Sequence, residues 1–486
     1  MALPATGVVE IRSTATAGNV NGGGFNSARG GTDYTLQDAA QLNPTDLASI
    51  LASTTITSAV GGFTSVMVGN YIHITAGTNF VAGWYEIVTF TNVNNVVVDR
   101  ACTVTADGSA GVGYVGGAMS LGSTLDDDLF EIGVPGNIFY IKGGAGPITY
   151  TLGEAVSIAV AGTAQSPIKI IGYATTRGDN PPAATRPIFA CGANTFTLGN
   201  LWEPYSISFT GTADPVVSTG NVAQKMIRCK IVNSSTTAGR RGINLVGNDF
   251  FAFACEIISY RGRGIGGATT TLFLDSCYIH DSNIGLALRN YTAVLVNTII
   301  SDNVTAAISG EIANTAFVFM NNCTLYGAEN KLGTGLEMIT GTTDVIIKNT
   351  VIAGFVTGVS HADVQSIGFD DYNDYYNNTT DVTNWTKGSN DIAINPAFTS
   401  VAQLTGSTAT TSGSVLTQAA GDFSTVTDNV DFVYIKSGTG VTVGKYMITS
   451  HTTDTITLDI APGTNATADK VWQITTGHNF MPTGAL

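Results

Sequence analysis

From Asp249 to Ser366 the apolar and polar positions recur in a fixed frame. One column holds Cys229, Cys255, Cys277, Thr298, Cys323 and Thr350. Two residues later comes Ile231, Ile257, Ile279, Ile300, Leu325 and Ile352, and three residues before the first column stand Met226, Ala252, Leu274, Leu295, Met320 and Ile347. The frame repeats every 21 to 27 residues, a period typical of solenoids. Within each rung the apolar positions alternate, with Cys255 and Ile257 inward and Glu256 outward, which predicts strand. A second column pairs a small residue with an aliphatic one: Gly242-Ile243, Gly264-Ile265, Gly285-Leu286, Ala307-Ile308, Gly335-Leu336 and Gly358-Val359. Each rung is therefore expected to carry about three short strands, paired in parallel with the next rung ~4.8 Å away. The segment Glu329–Thr334 reads as an insert on a turn. No rung can bury its apolar face alone, so stability must come from stacking.

The residue before the cysteine column runs Arg228, Ala254, Ser276, Asn297, Asn322, Asn349. Successive asparagines at one bend predict an amide ladder of Asn297, Asn322 and Asn349 that closes backbone groups at the corner. Cys229, Cys255, Cys277 and Cys323 are expected to line the interior as reduced packing residues. This coil resembles the right-handed parallel β-helix of pectate-lyase-like proteins. The segment PIKIIGYATTRGDNPP (Pro167–Pro182) is similar to the entry rungs of that superfamily, and DYNDYYNNTTDVTNWTKGSNDIAINPAF (Asp371–Phe398) to its closing rung. The resemblance spans roughly residues 122–400. It implies a fold and not an activity, because that superfamily includes lyases, hydrolases, isomerases and inert structural proteins.

The flanks differ from the coil. Residues 1–50 form a Gly- and Asn-rich leader, expected to be extended, either a docking arm or a flexible end; it resembles leaders of phage virion proteins that carry a β-helix. Residues 51–121 predict a small β module, with strands at Tyr71–Thr75, Trp84–Phe90 and Val96–Arg100. A related module is expected over 411–486, because Val68–Ala101 matches Asn429–Ala461: Ile74 with Ile435, Gly77 with Gly438, Gly83 with Gly444, Tyr85 with Tyr446, Ile87 with Ile448 and Asp99 with Asp459. Between them, 122–410 is the β-helix, with Leu125–Ile132 as a capping helix that places Asp126 and Asp127 at its positive end. The expected fold is all-β: a right-handed parallel β-helix flanked by two small related β-sandwich or barrel-like modules.

Composition narrows the function. The chain has 486 residues, 57 of them Gly, with 12% charged residues and a formal charge of −15. The acidity and the lack of a basic run argue against nucleic acid as a partner. No stretch approaches the ~20 apolar residues of a membrane span. The first 20 residues lack the charged start and apolar core of a secretory signal. Six scattered cysteines do not make a disulfide framework. With no CxxC and scattered histidines, no metal site and no cofactor are expected.

Candidate chemistry is sparse. Four positions after the cysteine column, Asp281 and Asp302 fall on adjacent rungs with His280 beside them. Two carboxylates ~5 Å apart suit a retaining glycosidase, or a Ca²⁺ site; as turn residues they read first as solvated aspartates. Only Arg261, Arg263 and Arg289 could complete a lyase site, which departs from the acidic ligands plus catalytic Arg of pectate lyases. Tyr372, Tyr375, Tyr376 and Trp385 cluster in the closing rung and either stack on sugars or plug the coil end. The function expected is a non-enzymatic bacteriophage virion protein at the particle surface, a capsid decoration, cement or fibre protein assembled in the host cytoplasm. The alternatives are a tailspike glycosidase or lyase acting on host polysaccharide, and a bacterial surface adhesin or secreted lyase. Expected partners are major capsid or tail proteins, further copies of the chain as a homotrimer, and host polysaccharide.

Overall fold

A computed structural model describes residues 2–13, 24–26, 28, 42–121, 126–182, 185–220, 223–247, 249–269, 271–289, 292–310, 317–327, 333–338, 344–362, 368–396, 403–419, 421–428, 431–442 and 444–475. Most of Asn19–Gln41 and of the Glu329–Thr334 insert lies outside them.

The repeat frame becomes a coil of three parallel sheets. The first has twelve strands, the outermost of which, Phe25–Asn26, pairs antiparallel, and the other two have ten each. In-register pairing follows the sequence columns: Ile257 pairs with Ile279, Ile279 with Ile300 and Ile300 with Leu325. Cys229, Cys255, Cys277 and Cys323 point inward with the isoleucine column, all buried, and all six cysteines of the chain are free thiols. Burial pushes the Cys323 thiol up to about 11, which suits inert packing groups. The small-residue column has a steric cause. A Cβ on Gly264 would stand 2.6 Å from the Gly285 carbonyl oxygen of the next rung.

The coil starts earlier than the sequence suggests. Gly7–Ile11, assigned above to an extended leader, is a fully buried strand paired in parallel with Ile138–Lys142. It is pinned by Glu10, which pairs with Arg177 at 2.5 Å and Arg12 at 3.2 Å and accepts from the Tyr173 hydroxyl. Burial raises the Glu10 carboxyl, and the two guanidinium groups oppose that rise. The helix Asp126–Glu131 follows, with Leu129 and Phe130 at 0% exposure in the coil's aromatic end. The last rung consists of Gly368–Asp371, Asp374–Tyr376 and Thr380–Thr383.

Each flank is a closed six-stranded antiparallel barrel, running from Leu47–Ser49 to Gly108–Val115 and from Gln403–Ser412 to Asn465–Thr475. Closure removes the sheet edges that would otherwise invite pairing. The matched residues do matched work. Tyr85 donates its hydroxyl to Val81 O at 2.8 Å, and Tyr446 to Thr442 O at 2.7 Å. Asp99 accepts from the Glu86 amide and Asp459 from that of Met447. Gly77 and Gly438 share φ near +144° and +149°, a conformation open to glycine.

Candidate functional site

The corner between the second and third sheets places Asp281 and Asp302 in the left-handed region, φ 54° and 55°, which short polar side chains tolerate. Their side chains are not solvated, as a turn position would suggest. Asp281 is 2% exposed and Asp302 6%. The C-terminal barrel lies over this corner: Lys445 forms an ion pair with Asp281, Arg261 with Asp459 at 3.6 Å, and the Tyr260 and Phe432 rings meet at 4.9 Å. The Lys445 ammonium also sits 4.7 Å from the Phe432 ring. A lid supplied from more than 150 residues away leaves no trace in the local pattern.

His280 is held between two carboxylates, with Nδ1 2.8 Å from Asp281 and Nε2 3.3 Å from Glu256. Its ring stacks on Tyr278 at 4.0 Å. Lys230 reaches Glu256 at 2.8 Å. Burial would raise the Glu256 carboxyl, but the His280 hydrogen bond and the Lys230 charge outweigh it and hold the group near about 2. Burial pushes the Lys445 ammonium down to about 7. Asp302 instead accepts from Ser301 at 2.9 Å. His280 and Asp281 are thus brought together in a sealed, charge-balanced seam. A glycosidase pair must reach both the leaving oxygen and the anomeric carbon, and this corner offers no such access. Among the described residues no three His, Cys, Asp or Glu side chains converge as a metal ligand set.

The four aromatic candidates divide. Tyr375 is 1% exposed and donates to Asp370 at 2.6 Å, and Trp385 Nε1 donates to the same oxygen at 2.7 Å. They close the coil end, and burial pushes the Asp370 carboxyl up to about 6. Tyr372 is 61% exposed, while Tyr376 is half-buried. Of the arginines, Arg261 is committed to Asp459, and Arg263 donates to Gly239 O.

The asparagine ladder exists but on the outside. Asn322 donates to Asn297 at 2.7 Å, whereas Asn349 donates to Asn321 and Asn297 to Asp275. All three asparagines are exposed, because their left-handed φ values of 49° to 55° turn the side chains away from the core. The buried ladder lies at the other corner. There Ser259 N donates to Ser282 Oγ, and Ser282 N to Asn303 Oδ1, each at 3.1 Å. Asn378 extends the same role, accepting from Phe355 N and donating to Ile352 O. The mixture of Ser and Asn hid this column.

No family model and no curated protein matches the chain. Solved structures with some similarity include the tailspike gp61 of Pseudomonas phage phi297, at 10% identity and TM-score 0.23, covering 96% of this chain and 88% of that one. Another is the tailspike gp49 of Acinetobacter baumannii bacteriophage Fri1, a capsular polysaccharide depolymerase, at 9% identity and TM-score 0.33, covering 98% and 99%. The A-module of the Azotobacter vinelandii mannuronan C-5 epimerase AlgE6 matches at 13% identity and TM-score 0.26, covering 53% and 74%. At these scores the similarity does not extend to the chemistry of a site.

Proposed function

We propose that the chain is a surface-displayed protein of a bacteriophage particle, of the tailspike or fibre kind, in which the β-helix serves as a rod. The sealed seam at Asp281 carries the non-enzymatic part of this reading: of the best carboxylate pair in the sequence, Asp281 is spent on holding a barrel to the coil and Asp302 is buried beside Ser301. A rod closed at both ends, by the Phe130 helix and by the Tyr375–Trp385 rung, suits a projecting element better than a capsid decoration or cement role. Immunogold electron microscopy of native particles tests the placement. Label on tail-associated projections is expected, and label spread over the head overturns it.

A polysaccharide-degrading tailspike is the second reading. It is favoured by the solvent-facing edge of the last rung, where Phe369 (46% exposed) and Tyr372 (61%) flank Asp371. Reducing-sugar release from host capsule or lipopolysaccharide by the purified chain would establish it over the first.

A further inference from the structure

The inward column near the start of each strand of the first sheet is apolar on every rung but one. It runs Ile168, Trp202, Gln224, Phe250, Leu272, Ala293, Val318 and Val345 in register, and every member is buried. An amide in a core column breaks the pattern that folds the coil, and such breaks are expected at functional sites. Half of the Gln224 amide has a structural reason. Its Nε2 donates to Leu198 O at 2.8 Å, Gly199 O at 3.2 Å and Thr219 O at 2.6 Å, which closes the corner between the third and first sheets on its own rung and the rung before. The other half has none: among the described residues Oε1 is buried without a hydrogen-bond partner.

The next two rungs repeat the deficit at the same corner. Asp249 lies beside Gln224 on the following rung, its backbone oxygen accepting from the Gln224 amide at 3.0 Å. Its Oδ1 is also buried without a partner among the described residues. Thr269 follows Ala268, which pairs with Val246, so it stands one rung further on, and its Oγ1 is buried and unpartnered in the same way. Gln224 is 1% exposed and Thr269 7%. Buried polar atoms of native proteins are nearly always paired, and an exception calls for a bound water or ion. Here all three orphans are oxygens, one of them from a carboxylate.

We propose that this corner binds a hard cation of the calcium class, with Gln224, Asp249 and Thr269 as side-chain ligands and backbone carbonyls and water completing the shell. Ligands ~2.3–2.6 Å from one Ca²⁺ lie at most about 5 Å apart, which is the spacing of adjacent rungs. Asp249, on the middle rung, is therefore the central ligand, and the other two approach from either side. The irregular, carbonyl-rich corner suits the flexible geometry of Ca²⁺ better than the strict octahedron of Mg²⁺. A single carboxylate sets a weak affinity, ~10⁻⁴–10⁻³ M, the range of extracellular modules. The formal charge of −15 draws cations toward the chain. Such an ion rivets three rungs together, and the inference stands apart from the virion reading.

Tb³⁺, a luminescent stand-in for Ca²⁺, tests this on the full chain. Trp202 precedes Gln224 by one rung in the same column, so excitation through tryptophan should give saturable Tb³⁺ emission that excess CaCl₂ displaces. Asp249→Asn keeps the shape and removes the charge, and should weaken binding by about tenfold or more. Thr269→Val should weaken it as well, whereas Asp344→Asn, at an exposed acid elsewhere on the coil, should bind as wild type. In urea unfolding, 10 mM CaCl₂ should raise the ratio of folded to unfolded chain about 20-fold for a Kd of ~0.5 mM, and NaCl of equal ionic strength should not. Should Asp249→Asn fail to fold, Thr269→Val decides. Emission that does not saturate, wild-type affinity in the variants, or a NaCl effect as large as that of CaCl₂ overturns the proposal and leaves the corner to water.

Discussion

Replacing Asp281 by Asn keeps the size and the left-handed backbone of the corner but removes the carboxylate beside Lys445. The side chains involved are 13% and 2% exposed. Removing one member of a buried pair typically costs about 3–5 kcal/mol. The cost has a ceiling, because the amine can shed its proton: holding a lysine neutral at pH 7 costs about 4.6 kcal/mol against an unperturbed value of ~10.4. The residual exposure of Lys445 favours the low end, about 3 kcal/mol, which is a factor of roughly 150 in the docking equilibrium. Hydrogen exchange reads this directly. Amides of Glu256–Tyr260 and Phe432–Met447 should exchange about a hundredfold faster in Asp281→Asn, while those of the Ile279 column stay protected. Adding Lys445→Met removes the stranded charge and should restore most of the protection. Wild-type exchange in Asp281→Asn, or no rescue by Lys445→Met, would refute the seam as an electrostatic latch.

Ile279, 0% exposed between Ile257 and Ile300, should not tolerate Asp: a buried charge costs several kcal/mol against a total stability of about 5–15, so soluble protein with a normal melt would refute the register. Asn303→Ala should lose about 1–3 kcal/mol by orphaning the Ser282 amide, and Asn322→Ala under ~1 kcal/mol, as compared by urea unfolding; equal losses would return the ladder to the outer corner. Asp370 titrates near about 6 when folded and near ~3.9 when unfolded. The folded state therefore binds more protons between those values, and stability falls by about 3 kcal/mol as pH rises from ~4 through 6. Thermal melts of Asp370→Asn should lack that slope, and an identical slope in both proteins would remove Asp370 as its source.

What the sequence revealed was whatever repeats. The inward column from Cys229 to Thr350 recurs on every rung because each faces the same neighbours, so the pattern is averaged over many copies. The Tyr85–Asp99 and Tyr446–Asp459 pairs were visible because a duplicated barrel reuses the same hydrogen bonds. What it concealed was whatever occurs once. Gly7–Ile11 is a single strand separated from its partner Ile138–Lys142 by a whole barrel. The burial of Asp281 depends on Lys445, which has no sequence relation to the rung it covers. Left-handed φ at Asn297 and Asn322 turns both side chains outward at the bend, a break in the strand that period-two counting does not describe.

The duplication also explains how the barrels attach. By the Ile74–Ile435 and Gly83–Gly444 matches, Tyr71 corresponds to Phe432 and Trp84 to Lys445. The pairing agrees: Tyr71 faces Glu86 and His73 faces Trp84, as Phe432 faces Met447 and Tyr434 faces Lys445. Both barrels meet the coil through these two positions. In the first, Tyr71 and Trp84 join the hydrophobic core of the coil itself, with Trp84 stacked on His73 at 3.7 Å. In the second, Phe432 packs on Tyr260 and Lys445 pairs with Asp281. One docking face has thus been used twice, against the apolar start of the coil and against its polar flank, with the contact residues changed to suit. Apolar burial needs no partner of opposite charge, whereas the second attachment relies on one buried ion pair. The C-terminal barrel is therefore the one whose attachment a single substitution can release.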